Sequence, residues 1–273
     1  MSEFLNAIRL ASDGSLNGVS DGVILAMAVV CGLLVIVSIF AFFVSAYLSI
    51  RYIKYNRKKS SCGMTGEQVA RTILDKNDLQ KIKVTKSGSI LFGNSYSHFF
   101  KKVRLRRLTW QKESITSLAM AAQKSALAIL DKENDPDMKA RIRLTPIMNL
   151  GPLACVPLVI IGAVLDLYVF HSSNGFYTIL FTSIGFLFYL FAFIMSIKVL
   201  KTEKKAQERA YAILREQGMA TDEELEMCKK LFKLYNIEYV NNMVIALLEL
   251  IYRVLQIIAY VQNASSSSSS QEA

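Results

Sequence analysis

The chain has no C-x-x-C spacing, and its 4 cysteines are scattered: Cys31 and Cys155 fall inside long apolar runs, Cys62 and Cys228 outside them. That scatter excludes a zinc knuckle and gives no ground for a disulfide framework. No internal repeat is visible, and the only low-complexity stretch is the serine run near the C-terminal end, read as a disordered tail. Acidic residues are few, 22 against 32 lysines and arginines, for a formal net charge of +10. Charge of either sign is missing altogether from Gly22 to Ile50, GVILAMAVVCGLLVIVSIFAFFVSAYLSI, a run of 29 residues.

A helix needs about 20 apolar residues to cross roughly 30 Å of hydrocarbon, so this run reads as a transmembrane helix. It does not read as a signal peptide. The segment before it is long, holds Glu3, Asp13 and Asp21 against a lone Arg9, and no small-residue cleavage site follows a short apolar core. Leu150 to Phe170 and Phe176 to Leu200 form two further spans joined by the turn HSSNG, a linker that permits only a helical hairpin. Tyr239 to Val261 is a fourth, interrupted by Asn241, Asn242, Glu249, Arg253 and Gln256.

Orientation follows from the basic residues of the connecting segments. RYIKYNRKK, KKVRLRR, KARIR and KVLKTEKKAQER put residues 51–148 and 201–238 in the cytoplasm. The N-terminal residues 1–21, the HSSNG turn and the tail 263–273 are nearly devoid of Lys and Arg and are expected outside. Spans are thereby expected at 22–50, within 149–200 (two helices) and at 239–262, in a mainly α-helical polytopic membrane protein of the cell membrane. The positive charge is then a topology signal and not a nucleic-acid surface.

The first cytoplasmic segment is long enough for a small domain. Thr65 and Gln68 make a capping box ahead of Val69, Ile73 and Leu74. Lys81 to Lys86 alternates, SGS turns, and Ile90-Leu91-Phe92 and Val103-Arg104-Leu105 are short strand candidates. A helix starting near Glu113 carries Ile115, Leu118, Ala122, Ala126 and Ile129 at helical spacing. Further on, Thr202 to Gln217 reads as a helix stopped by Gly218, and Thr221 with Glu224 caps the next one.

This order of parts resembles the YugP-like neutral zinc metallopeptidases of bacterial membranes, from the first span to Val261. SSCGMTGEQVARTIL, Ser60 to Leu74, follows the family's S-x-x-G-x-T-G-x-E-V-A-R-x-I-L. Glu203 to Leu214, EKKAQERAYAIL, falls on E-F-D-A-S-R-R-A-L-A-I-L, and TDEELEMCKKLF after it has the family look. The V-A-A-H-E-x-G-H-A part of the family's S-x-x-A-x-x-V-A-A-H-E-x-G-H-A falls on MAAQKSALA, Met120 to Ala128. The resemblance implies a zincin-like cytoplasmic domain with a small sheet, in which two imidazoles four apart on one helical face bind zinc and the glutamate between them polarises the bound water.

Here those three positions hold Gln123, Lys124 and Leu127. Gln is a very weak zinc ligand, Leu is none, and an ammonium stands where a base is required. Glu203 matches the family glutamate that completes the metal shell, but one carboxylate is not a zinc site. The family's D-H-Y-D-P is replaced by Asn94, Ser95, Tyr96, Ser97 and His98, and the 2 histidines, His98 and His171, are expected on opposite sides of the membrane. The expectation is a pseudoprotease with no cofactor, which binds or scaffolds membrane-protein partners or assembles with its own copies. An active membrane metalloprotease, or a small transporter or structural subunit, stands as the alternative.

Three further groups are singled out. Asp166, Glu249 and Arg253 are expected to pair inside the bilayer, where an isolated charge is costly. Lys101, Lys102, Arg104, Arg106 and Arg107 flank or lie on a strand whose one face would be cationic, a candidate docking surface for lipid head groups or an acidic partner. Lys124 and Lys205 are expected to fill the vacated site by pairing with Glu203 or Asp131.

Overall fold

The computed structural model describes residues 1–12, 16, 18–88, 93–170 and 176–269, with the side chains of 146–156 and 264–269 set aside. In chain order its elements are α1 (Ser2–Ala11), α2 (Asp21–Arg57), α3 (Gly66–Lys76), β1 (Lys83–Ser87), β2 (Ser95–Ser97), β3 (Lys102–Arg106), α4 (Arg107–Gln111), α5 (Ile115–Lys132), α6 (Pro136–Val164) with a π-turn at Leu165–Val169, α7 (Phe176–Glu216) and α8 (Asp222–Ser269). The chain divides into two compact units, one of Met1–Ala41, Pro146–Ile194 and Asn241–Ala273, the other of Phe42–Thr145 and Met195–Val240.

The second unit is built around α5. Ser114 caps that helix by accepting a hydrogen bond from the Ser117 amide at 3.1 Å. Residues 115–130 are buried except Lys124, as expected of a helix apolar on nearly every side. Val69, Ala70, Ile73 and Leu74 of α3 and Val103 and Leu105 of β3 complete the core around it. The start of α3 is fixed by both halves of the capping box, Gln68 N to Thr65 Oγ1 at 3.3 Å and Thr65 N to Gln68 Oε1 at 2.9 Å.

The sheet has the order β1-β3-β2, with β1 parallel and β2 antiparallel to the central β3. Burial alternates along β3: Val103 and Leu105 face the core, and Lys102, Arg104 and Arg106 are half-buried on the other side. The three-residue β2 and the five-residue α4 were not expected, and the strand candidate at 90–92 lies outside the described residues. In the same unit α7 ends at Glu216, two residues before Gly218, whose φ of +60° suits glycine, and Thr221 and Glu224 form a second capping box for α8.

Among the described residues three helices are long and apolar enough to cross a membrane, Asp21–Arg57, Phe176–Glu216 and Asp222–Asn263. Of the expected second span, Pro157–Val169 is a shorter apolar helix among the described residues. The HSSNG turn and His171 lie outside the described residues. In the first unit α6 and α7 approach so closely at Gly162 that an added Cβ would lie 2.7 Å from Thr178 Cα and Tyr177 O, the small-residue contact that lets membrane helices pack. α8 continues to Ser269, so residues 263–269, expected in a disordered tail, extend the helix.

Candidate functional site

Gln123 and Lys124 leave α5 on the side that faces α7, and there they meet Glu203. Gln123 Nε2 donates to Glu203 Oε2 at 2.8 Å, and Lys124 Nζ to the same oxygen at 3.0 Å. The other carboxylate oxygen pairs with Arg141 NH2 at 2.7 Å, brought in by α6. The three charged side chains are only 12%, 16% and 20% exposed for Lys124, Glu203 and Arg141. In such surroundings a pair of cations around one carboxylate is a tight electrostatic clasp.

Glu203 lies beyond the apolar stretch of α7, which ends at Leu200. Burial alone would push its carboxyl up, but Lys124 and Arg141 outweigh burial and hold it down to about 2. Leu127, one turn after Gln123, is 1% exposed and belongs to the apolar core.

A family model described as "Putative neutral zinc metallopeptidase" matches residues 30–258, most of the chain. The chain belongs to this family. A relative of it, the "Putative membrane protease YugP" of Bacillus subtilis (strain 168), is 25% identical over 198 residues, which is 72% of this chain and 83% of that protein. No solved structure matches.

A zinc ion held by this member of the family would need lone pairs from His, Cys or carboxylate ligands. The cluster on Glu203 offers one carboxylate, already engaged by two cations, and a Gln amide turned to donate. Among the described residues no group of three or more His, Cys, Asp or Glu gathers to hold a metal. These residues do not fit the metal that the family name implies.

Lys205 does not join the site. Its ammonium pairs with Asp135 at 2.9 Å and with Asp137, not with Glu203 or Asp131. The reason is helical geometry: residues two apart on a helix do not share a face, so Lys205 cannot point where Glu203 points. The hydrogen bond from Lys205 holds Asp137 below the usual carboxylate range. Asp131 instead accepts from Tyr96 Oη at 2.5 Å and pairs with His98 Nδ1 at 2.7 Å. Burial and the Asp131 carboxylate both push the Tyr96 hydroxyl up.

Asp166 and Glu249, expected to pair with Arg253 inside the bilayer, both accept hydrogen bonds from α7. Asp166 accepts from the Tyr177 and Thr178 amides at 3.1 and 2.7 Å and from Thr178 Oγ1 at 2.6 Å, capping the first turn of α7 from the π-turn. Glu249 accepts from Tyr189 Oη at 3.0 Å. Arg253 lines a cavity of about 250 Å³ with Thr178, Thr182, Tyr189 and Gln256. Asp166→Ala is therefore expected to cost about 1–2 kcal/mol, the worth of a lost N-cap, seen as an earlier thermal melt of the detergent-purified protein. An unchanged melt would mean that water or lipid groups replace the carboxylate.

On the basic strand, Lys101 and Arg107 are exposed, and Lys102, Arg104 and Arg106 are half-buried. Arg106 donates its backbone N–H to Asn94 Oδ1 at 2.8 Å. Sequence reasoning missed Arg141, whose KARIR setting reads as one more positive-inside segment. Nothing local to α6 says that one of its arginines reaches a glutamate of α7.

Proposed function

We propose that this protein is a catalytically inactive member of the neutral zinc metallopeptidase family that acts by binding, holding membrane-protein partners or copies of itself where its relatives cut. The observation that carries this reading is the clasp of Lys124 and Arg141 on Glu203. The position that the family resemblance assigns to the water-polarising base holds a cation, and that cation is spent on the carboxylate that would complete the metal shell. Glu203 is thereby neutralised by protein groups, which leaves no call on a metal for its charge.

We read the chain as four spans with both termini extracytoplasmic and residues 51–148 and 201–238 in the cytoplasm. The three long apolar helices and the shorter Pro157–Val169 support that count, and the distribution of Lys and Arg supports the orientation.

Metal content of the detergent-purified protein, measured by mass spectrometry, tests the reading. Less than about a tenth of an equivalent of zinc is expected, since structural and catalytic zinc bind tightly enough to survive purification. About one equivalent, lost on Glu203→Ala, would overturn it and make a protease assay the next step.

A further inference from the structure

Phe99 and Phe100 stand 69% and 68% exposed in the turn between β2 and β3. They lie outside every apolar run that crosses the membrane, and two adjacent large aromatics in water are unusual enough to need a covering. Four lysines lie at the same end of the sheet. Lys101 and Lys102 follow directly in sequence, and Lys102 Nζ lies 4.6 Å from the Phe100 ring centroid. Because β1 runs parallel to β3, its first residues come to the same end of the sheet: Lys83 is the register partner of Lys102, and its N–H donates to Lys101 O at 3.0 Å. Lys81, two residues earlier, is exposed as well.

Three carboxylates of the same unit are already engaged. Asp131 is held by Tyr96 and His98, with Lys101 at 3.7 Å, Asp78 pairs with Lys132 at 3.2 Å, and Asp75 with Arg71 at 2.7 Å. The end of the sheet thus presents two exposed aromatic residues beside four lysines. This is the composition of a surface that settles into the headgroup layer of an anionic membrane, where amphipathic rings reach the acyl boundary and lysines meet phosphates. The chain's own spans keep a bilayer close at all times.

We propose that the β2–β3 turn, with Phe99 and Phe100 as its wedge and Lys81, Lys83, Lys101 and Lys102 as its phosphate contacts, inserts into the surface of an anionic bilayer. This goes beyond the inactive-protease reading and does not depend on it, because a lipid contact is indifferent to whether the chain cleaves.

The test uses the full chain in lipid nanodiscs. Trp110, the only tryptophan of the sequence, is replaced by Phe, and a single reporter is introduced as Phe100→Trp or, in a second protein, Phe99→Trp. In nanodiscs of phosphatidylglycerol with brominated chains, emission of both reporters is expected to fall at least about twofold relative to unbrominated lipid, as it does for an indole at the acyl boundary. Brominated phosphatidylcholine is expected to quench far less, and Lys→Gln at all four lysines is expected to remove the difference between the two lipids.

Emission untouched by bromine in either lipid, with ready quenching by aqueous acrylamide, would overturn the proposal and leave the turn to an acidic protein partner. Equal quenching in both lipids would overturn the role given to the lysines.

Discussion

Glu203→Ala is expected to destabilise the protein by about 3–5 kcal/mol, the range for removing one partner of a buried charge pair. The loss is larger than the worth of the hydrogen bonds because it strands two cations, Lys124 at 12% and Arg141 at 20% exposure, with no carboxylate between them. At roughly 2–4 °C per kcal/mol for a chain of this size, the melting temperature should fall by about 10 °C. Lys124→Met should cost much less, since Glu203 keeps Arg141. Combining it with Glu203→Ala should recover part of the loss, a coupling that a double-mutant cycle reads directly. Additive effects would mean that the clasp contributes nothing as a unit.

The same carboxylate sets a pH dependence. Its folded value, about 2, lies below its ordinary 4.5, so its contribution is complete above about pH 4.5 and is lost as the pH falls toward 2. Melting temperatures of the parent and Glu203→Ala proteins should converge across that window. Curves that stay parallel down to pH 2 would show that Glu203 is not the titrating group.

Gly66→Ala should be the second large effect, about 3 kcal/mol. The added Cβ would lie 2.0 Å from the carbonyl oxygen of Thr109 and 3.0 Å from its carbon, both backbone atoms that no rotamer change can move aside. Accommodating it means separating α3 from α4 at the head of the capped helix, in the best-packed part of the second unit. Thermal melts of the variant should begin several degrees early, and a parent-like melt would show that α4 shifts without cost.

The parts of the fold that the sequence announced are those with local causes. Thr65 and Thr221 each carry their helix start within three residues, and the apolar spacing of α5 needs no distant information. β2 was not legible because three residues with one Tyr carry no period, and the order β1-β3-β2 is a property of pairing at a distance. The candidate site divides the same way. Gln123 and Lys124 drew notice because they interrupt an apolar helix and stand at motif positions, and the structure brings both to Glu203. Arg141 and the true partners of Lys205 depend on how α6 packs against α7, which no stretch of either helix encodes alone.

The clasp on Glu203 also constrains which neighbouring sequences can be visited. Lys124→Glu by itself sets a second carboxylate against Glu203 with Arg141 as the lone cation between them, and Leu127→His puts an imidazole into a core position that is 1% exposed. Both of these single steps toward a metal-binding H-E-x-x-H lead downhill in stability. The ion pair thus makes the present sequence hard to leave one residue at a time along that path.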